Sequence, residues 1–251
     1  MKHKLWTNNV PENITCTSFH IFTSEQKLSA EEFNRSKRLT RPISAEEGTQ
    51  MDTKTRESKE TYNKKARKYE KTFDGKYTLS FNRYLCEYVP LKDQNRILDI
   101  ACGNGRLLKM IAQKTNVEAF GIDISDEMVN VAREENRDMT FFVSEADKTP
   151  FEDSFFDAIT VCCAFHHFVD PEAFLEEAHR ILKPQGRLYI ADPTAPGTLR
   201  RIENFYFPRL RTGDVRIYSP AEMQIYFDRA NFHGFSCKTD GFRMVAEGFR
   251  T

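Results

Sequence analysis

From Arg96 onward, short apolar runs alternate with stretches in which apolar residues recur at helical spacing. Strands that alternate with helices form βαβ units, whose strands pair in parallel and whose helices cover the sheet faces. The pattern therefore predicts an α/β fold with a mostly parallel seven-stranded sheet and helices on both faces. The strand-like runs cover residues 96–101, 118–123, 140–143, 155–163, 186–191, 235–239 and 244–249.

Three helix starts in this region are marked by capping residues. Ser125 precedes two acidic residues, Asp170 precedes a proline, and residues 219–222 read Ser-Pro-Ala-Glu, which is a capping box. Short polar side chains accept hydrogen bonds from the first free N–H groups of a helix, and proline fits the first helical position. We therefore expect helices to begin directly after Ser125, Asp170 and Ser219.

The chain before the first strand divides at Met51. Residues 1–50 show no helical or strand period, and we interpret them as a weakly ordered leader. The predicted organisation is this leader, an N-terminal helical cap at 51–92 and a main domain at 93–251. Because a helical pattern starts directly after Met51, a further hypothesis is that the functional chain begins there and the leader is dispensable.

The cap is predicted to contain two helices. Tyr62, Ala66 and Tyr69 lie on one helical face, because their spacing is four and then three residues. A second apolar helical pattern follows and ends at Pro90, since proline cannot continue a helix.

The charge balance limits the class of partner. The chain has 37 basic and 37 acidic residues, so its formal net charge is zero. Proteins that bind nucleic acid over a large surface usually carry a basic excess. Residues 51–90 have ten basic and six acidic residues, which we interpret as a solvated helix face. We expect no nucleic-acid partner, and the oligomeric state stays open.

Cysteine spacing and hydropathy bear on metal binding and compartment. The six cysteines include no Cys-x-x-Cys pair, so we predict no metal site. Cys162 and Cys163 lie in a strand-like run, where successive side chains would point to opposite faces. No run approaches the ~18 apolar residues of a membrane span, and no secretory signal is recognisable. We expect a cytoplasmic protein with reduced thiols.

The turn after the first strand reads Leu98-Asp-Ile-Ala-Cys-Gly-Asn-Gly-Arg106. Glycines there let the backbone approach a ligand, and the N–H groups of the helix start point towards it. A dinucleotide fingerprint needs a glycine where this chain has Leu108, which disfavours pyrophosphate. Asp99 beside the turn suits a ligand that carries positive charge. Asp123, at the end of the second strand, can accept both hydroxyls of an unphosphorylated ribose.

These residues resemble the motifs of class I S-adenosylmethionine-dependent methyltransferases, in the small-molecule branch that includes quinone-biosynthesis C-methyltransferases. The glycine turn looks like the first motif, and four more follow in the order that the family has: Gly121-Ile-Asp-Ile-Ser-Asp-Glu-Met, Ala146-Asp147, Phe155-Phe-Asp-Ala-Ile, and His179-Arg-Ile-Leu-Lys-Pro-Gln-Gly-Arg-Leu. The resemblance covers roughly residues 55–251. The last motif usually reads Lys-Pro-Gly-Gly, and here Gln185 replaces the first glycine in a turn outside the site.

The resemblance implies a Rossmann-like fold, methyl transfer to a small molecule, and S-adenosylmethionine as the cofactor. It implies that Gly103 and Gly105 shape the loop around the methionine part of the cofactor, and that Asp99 contacts the amino group. Asp123 would bind the ribose hydroxyls, and Asp147 would accept from the adenine amine. The full set of implied cofactor-binding residues is Tyr69, Asp99, Ala101, Gly103, Gly105, Asp123, Ile124, Met128, Ala146 and Asp147.

A purely structural interpretation also exists for Tyr69, Met128 and Asp147. The resemblance implies that Ile124 and Met128 pack on the adenine and that Tyr69 closes over the cofactor. Alternatively, Met128 belongs to the core, Tyr69 packs its helix onto the sheet, and Asp147 caps a loop.

Two adjacent histidines, His166 and His167, are the candidate catalytic residues. They follow the fourth strand, at the edge where ligands bind in open α/β sheets. Alignment alone can supply most of the catalysis of methyl transfer, and a base is needed only when the acceptor loses a proton. On an extended backbone the two side chains point opposite ways, so at most one should face the acceptor. The alternative is that one caps the strand end and the other lines the pocket.

Six aromatic residues near this edge are candidates for an apolar acceptor pocket: Phe165, Phe168, Phe205, Tyr206, Phe207 and Tyr218. Residues 193–218 are predicted to form a partial lid. Amino-methylating nucleic-acid enzymes resemble one another in one motif, and metal-dependent catechol-type enzymes in a different one. The sequence lacks both motifs, so a small organic acceptor is favoured. Two alternatives stay open: a catalytically silent cofactor-binding regulator, and an RNA or protein methyltransferase.

Overall fold

The structure is a computed structural model that describes residues 51–251. Within these residues seven strands form one sheet in the order β3-β2-β1-β4-β5-β7-β6. Strands β1 to β5 pair in parallel, and β7 is antiparallel to both β5 and β6. The predicted fold class is confirmed. The strands are β1 (Arg96–Ile100), β2 (Glu118–Asp123), β3 (Thr140–Val143), β4 (Phe156–Cys162), β5 (Leu182–Pro193), β6 (Phe232–Asp240) and β7 (Arg243–Arg250).

Helices connect the strands and precede the sheet. They are α1 (Thr53–Lys65), α2 (Phe73–Tyr88), α3 (Arg106–Ala112), α4 (Asp126–Glu135), α5 (Pro171–Ile181), α6 (Gly197–Tyr206) and α7 (Pro220–Arg229), with 3₁₀ segments at Ala66–Lys71, Phe165–His167 and Phe207–Arg209. The three predicted starts are confirmed: Ser125 accepts from the Met128 amide and Asp170 from the Ala173 amide, and Ser219 forms both bonds of a capping box.

Strand alternation divides the core between the two faces of the sheet. Leu98 and Ile100 of β1 pack in a buried cluster with residues of α5 and α7. Ile97 points the other way and packs with residues of α2, α3 and α4. Because α2 belongs to this second cluster, the N-terminal helices are part of the structure that carries the sheet. The predicted division into a cap at 51–92 and a main domain at 93–251 stays an interpretation, and the predicted leader lies outside the described residues.

Strand β1 lies in the interior of the sheet, where the strand order reverses. Its neighbours are β2 on one side and β4 on the other. The chain adds β2 and β3 on the first side and then crosses over to add β4 and β5 on the second. In open α/β sheets this reversal leaves a crevice at the carboxyl ends of the central strands, and ligands bind there. In residues 51–251 we find no helix with both the length and the apolarity to cross a membrane.

The sequence placed the start of β5 four residues late. The strand begins at Leu182, which pairs with Phe156 before a register shift in β4, and not at Gly186. The intervening residues Lys183-Pro-Gln bulge outward, which a period-two pattern cannot reveal. Gln185 at this place has φ of 66°, in the left-handed region that favours glycine, the residue that the related motif usually has here.

This conformation yields a prediction about stability. A non-glycine residue in the left-handed region costs roughly 1–2 kcal/mol, and glycine costs roughly 0.5–1 kcal/mol in unfolded-chain entropy. Gln185→Gly should therefore raise the free energy of unfolding by up to ~1 kcal/mol, as measured by urea denaturation. Gln185→Ala, which keeps the strained φ, is the control and should not stabilise. Equal stabilisation by both variants would contradict the strain argument.

Candidate functional site

A cavity of about 320 Å³ opens at the carboxyl ends of β1, β2 and β4. Its volume lies at the lower end of the range for small-molecule sites. Gly105 does not line the cavity. The other nine predicted cofactor-binding residues line it: Tyr69, Asp99, Ala101, Gly103, Asp123, Ile124, Met128, Ala146 and Asp147.

The glycine turn forms one wall of the cavity. Ala101, Gly103 and Gly105 all have positive φ, at 57°, 55° and 77°. A Cβ on Gly103 would meet no atom within 4 Å, whereas a Cβ on Gly105 would lie 2.9 Å from the Phe141 ring. The two glycines therefore differ in function. Gly103 borders open space, and Gly105 lets the start of α3 approach β3 behind the cavity.

Asp123 fixes the turn to the next strand. Its Oδ2 accepts from the Gly103 amide at 2.9 Å, and its Oδ1 accepts from the Ser125 amide at 2.8 Å. Burial raises the pKa of Asp123 to about 6, although both amide bonds oppose this rise. Each carboxylate oxygen has a further lone-pair position, so the group can still accept bonds from a ligand.

Asp99 is a second buried carboxylate in the same wall. It is only 2% exposed, and its Oδ1 accepts from the Thr160 hydroxyl at 2.8 Å. Burial, together with the nearby charge of Asp123, raises the pKa of Asp99 to about 7, although the Thr160 hydrogen bond opposes this rise. Two buried carboxylates have a high energy when both are ionised, and a cationic ligand would lower it.

The N-terminal helices cover the cavity. Tyr69 packs with Ala66, Met128 and Val131 in a small buried cluster. Its hydroxyl lies 3.1 Å from the Thr78 hydroxyl, and burial raises the pKa of Tyr69 to about 12. Because Tyr69 and Met128 both belong to this cluster and also line the cavity, the two interpretations of each residue are compatible.

Sequence reasoning missed several polar residues from these helices. Thr78 and Asn82 of α2 line the cavity, and Asn82 accepts from the Cys162 thiol at 2.9 Å. They share a helical face with the buried Phe81 and Leu85. Polar residues at helical spacing among apolar ones were the sequence signal that could have indicated a polar lining here. Asn63 of α1 was also missed, and its carbonyl oxygen accepts from the Ser125 hydroxyl at 2.6 Å.

The prediction that Cys162 and Cys163 point to opposite faces is wrong. Cys162 is the last residue of β4, and Cys163 has φ of 52°, so the strand alternation stops between them. Both cysteines line the cavity. Burial raises the pKa of the Cys163 thiol well above its ordinary value, and Cys162 raises it further.

The two histidines lie on a 3₁₀ turn and not on an extended backbone, so the prediction that they point opposite ways is also wrong. Their ring centroids are 4.1 Å apart. His167 lines the main cavity, and both histidines line an adjoining cavity of about 150 Å³. Nδ1 of His166 lies 3.0 Å from Oδ1 of Asp192, a fully buried residue at the end of β5.

The two imidazoles have opposite electrostatic surroundings. Burial, together with repulsion from His166, lowers the pKa of His167 to about 3. Burial also acts against the charged form of His166, but the carboxylates of Asp192 and Asp214 outweigh it and raise the pKa of His166. His167 is therefore neutral at physiological pH, and His166 is the imidazole that more readily carries the proton.

Of the six aromatic residues predicted for an acceptor pocket, only Phe168 lines either cavity. Phe165 and Tyr218 are buried in the core, where their ring centroids are 5.0 Å apart. Phe205 and Tyr206 lie on α6 and are 56% and 58% exposed. Phe207, in the 3₁₀ segment after α6, also lines neither cavity. The prediction was therefore wrong for five of the six residues: two of them pack in the core, and the other three lie on or directly after α6, away from both cavities. The role of residues 193–218 as a lid stays a prediction.

Part of the chain matches a known protein family. A family model described as a methyltransferase domain matches residues 98–190, the stretch that runs from the glycine turn into β5. Residues 98–190 are thus similar to a methyltransferase domain. The predicted resemblance is thereby confirmed, and the matched span includes eight of the nine cavity-lining candidates, all but Tyr69.

The relatives are quinone-biosynthesis enzymes. The chain is 37% identical over 115 residues to the demethylmenaquinone methyltransferase of Thermotoga maritima, covering 44% of this chain and 50% of that protein. It is 32% identical over 138 residues to a ubiquinone/menaquinone biosynthesis C-methyltransferase of Citrifermentans bemidjiense, covering 51% of this chain and 58% of that protein. The chain thus spans about half the length of the curated relatives it matches. A solved S-adenosylmethionine-dependent methyltransferase of Thermotoga maritima shares the fold, with a TM-score of 0.63, 21% identity, and coverage of 77% of this chain and 100% of that one.

The pKa of Asp99 leads to a prediction about pH and stability. The pKa of such a carboxyl group is higher in the folded state than in the unfolded state. Its contribution to stability is fully present at pH values below the pKa of the unfolded state, and it is lost as pH rises through the pKa of the folded state. Between pH 4 and pH 7 the ligand-free protein should lose stability relative to Asp99→Asn, which stays neutral and still accepts from Thr160. At pH 8 the variant should be more stable by on the order of 3 kcal/mol.

Thermal denaturation of both proteins at pH 4.5 and pH 8 measures this difference. Asp138→Asn, at an exposed position, is the control and should show the same small difference at both pH values. A difference between wild type and Asp99→Asn that does not change with pH would contradict the burial argument.

Proposed function

We propose that the chain is an S-adenosylmethionine-dependent methyltransferase that acts on a small organic acceptor. The observation that carries the proposal is the position of Asp99, Asp123 and the glycine turn in the wall of one cavity, within the stretch that matches the methyltransferase domain. A buried acidic pair fits a cofactor whose sulfonium and amino groups are positively charged.

Each part of the cofactor has a candidate partner in the cavity. Asp123 would accept from the ribose hydroxyls and Asp99 from the amino group. Ile124 and Met128 would pack on the adenine, next to Ala146 and Asp147. Tyr69, from the N-terminal helices, would cover the cofactor, and the turn at 101–105 would leave room for its methionine part. When bound, S-adenosylmethionine supplies a methyl group that the sulfonium charge already activates.

The acceptor would approach from the side of Phe168 and His167. Phe168, Val169 and Phe174 line the cavity there and provide apolar contacts. Because the named relatives act in menaquinone and ubiquinone biosynthesis, we propose a quinone-like aromatic acceptor. Apolar packing would hold such a ring in line with the transferred methyl group, and alignment of this kind supplies most of the catalysis.

His166 and His167 are the proposed catalytic residues for an acceptor that must lose a proton. His167 reaches the cavity with a neutral ring that would receive the proton, and because its lowered pKa makes it a weak base, the positive charge would have to be stabilised by its neighbours. The pair of His166 and Asp192 lies directly behind it and could take up the resulting charge. We place the enzyme in the cytoplasm, since five cysteines of the described part of the chain are free thiols, which suits a reducing compartment.

The cofactor assignment predicts the effect of removing the Asp123 carboxylate. Hydrogen bonds to a charged group contribute roughly 1.5–3 kcal/mol, so Asp123→Ala should weaken S-adenosylmethionine binding by about 10- to 150-fold in titration calorimetry. Asp126→Ala removes an exposed acid from the first turn of α4 and should bind like wild type. Equal affinity of wild type and Asp123→Ala would remove the assignment.

Methyl transfer itself is tested with methyl-labelled S-adenosylmethionine and a short-chain demethylated naphthoquinol. The wild-type protein should transfer label to the quinol, and Asp123→Ala should do so only at raised cofactor concentration. Cofactor binding without transfer to this acceptor, or to any component of a metabolite extract, would favour the silent regulator. Transfer only to RNA or protein would favour the other alternative.

A further inference from the structure

Three potential metal ligands converge beside the smaller cavity. Oδ1 of Asp214 lies 3.6 Å from Nε2 of His166 and 3.4 Å from Nδ1 of His167. One ligand atom from each residue lies within 4.8 Å of the other two. Asp214 lies on the loop between α6 and α7, so two separate segments of the chain supply this cluster.

Each histidine is held by its other ring nitrogen. Nδ1 of His166 lies 3.0 Å from a carboxylate oxygen of Asp192, and Nε2 of His167 lies 3.2 Å from the Tyr62 hydroxyl. Metal-binding histidines have this arrangement, because a carboxylate or hydroxyl partner fixes the ring and directs the free nitrogen at the metal. The two nitrogens that remain are those that point at Asp214.

The loop that carries Asp214 is fixed against the histidines. The amides of Val215 and Arg216 donate to the His166 carbonyl at 2.9 and 3.1 Å. Gly213 has φ of 86°, and a Cβ there would lie 2.6 Å from Cβ of Ser58 on α1, so only glycine fits. Thr212 donates its hydroxyl proton to Oδ2 of Asp214, which leaves Oδ1 facing both imidazoles.

One atom of the cluster has an unmet bonding requirement. Nδ1 of His167 is buried and makes no hydrogen bond within the described residues. Its nearest acidic neighbour, Oδ1 of Asp214, lies at 3.4 Å. A buried polar nitrogen without a partner costs roughly 1–3 kcal/mol, and coordination of its lone pair to a cation would remove this cost.

We propose that Nε2 of His166, Nδ1 of His167 and Oδ1 of Asp214 bind a divalent transition-metal ion of the zinc class. Zinc binds imidazole nitrogen and carboxylate oxygen at about 2.0–2.2 Å, which places two ligands of a tetrahedron about 3.3–3.5 Å apart. The separations of 3.4 and 3.6 Å to Asp214 are close to this value. Mg²⁺ and Ca²⁺ prefer all-oxygen sites, so two imidazoles favour zinc, cobalt or nickel.

Three protein ligands leave the fourth position of the ion for water or for a ligand oxygen, as in catalytic zinc sites. The prediction of no metal site is based on cysteine spacing, and nothing in the sequence links the adjacent histidines to Asp214. Binding of the ion needs neither cofactor nor acceptor, so it can be tested apart from methyl transfer. An ion at this position would occupy the lone pairs that a general base needs, so it would replace the roles proposed for His166 and His167 as bases.

Metal titration of the full chain, first freed of metal by chelation, tests the site. We expect one equivalent of Zn²⁺ in calorimetry, and with Co²⁺ a visible absorption band of a four-coordinate nitrogen and oxygen site. Asp214→Asn should weaken binding of both ions at least tenfold, and His167→Gln should abolish the cobalt band. Asp228→Asn and His233→Gln, at exposed positions outside the cluster, are the matched controls and should bind like wild type.

Circular dichroism of each variant establishes that it is folded, and Asp214→Asn alters only a loop residue. Three results would overturn the proposal: no stoichiometric binding by wild type, unchanged binding by both cluster variants, or a cobalt spectrum with thiolate charge-transfer bands, which would assign the metal to cysteines. None of these measurements uses cofactor or acceptor, so their outcome is separate from that of the proposed function.

Discussion

The buried carboxylate of Asp123 is the interaction on which the site depends. It accepts one backbone amide from the glycine turn after β1 and one from the start of α4. The glycine turn and the junction of β2 with α4, which are 20 residues apart in sequence, are thereby joined at one group. Because β1 lies where the strand order reverses, the joined segments surround the crevice that the topology leaves open.

The site has a cost in stability. Asp99 and Asp123 are desolvated, and their raised pKa values report that ionisation is unfavourable in the ligand-free protein. Ala101 and Cys163, which follow the ends of β1 and β4, adopt positive φ, and both line the cavity. Strain and buried charge at a site are expected where function and stability compete, and a cationic ligand would recover part of the electrostatic cost.

Much of this arrangement was predictable because it is local in sequence. The alternation of apolar runs predicts the strands, capping residues predict the starts of α4, α5 and α7, and strand ends place Asp99 and Asp123 at one edge. The features that were missed depend on tertiary contacts. A left-handed Cys163 ends the alternation of β4, a 3₁₀ turn brings the histidine rings together, and a distant loop places Asp214 against them. No periodicity encodes these contacts.

The central claim is that buried carboxylates select a cationic ligand, and proton release on binding tests it most directly. Calorimetry of S-adenosylmethionine binding at pH 6.5, in buffers of different ionisation enthalpy, counts the protons released. A positive ligand should lower the carboxyl pKa values, so the account predicts proton release. It also predicts an affinity that rises about tenfold from pH 6 to pH 8, and a weaker rise for S-adenosylhomocysteine, which lacks the sulfonium charge. Binding of S-adenosylmethionine without proton release, with an affinity that does not depend on pH, would contradict it.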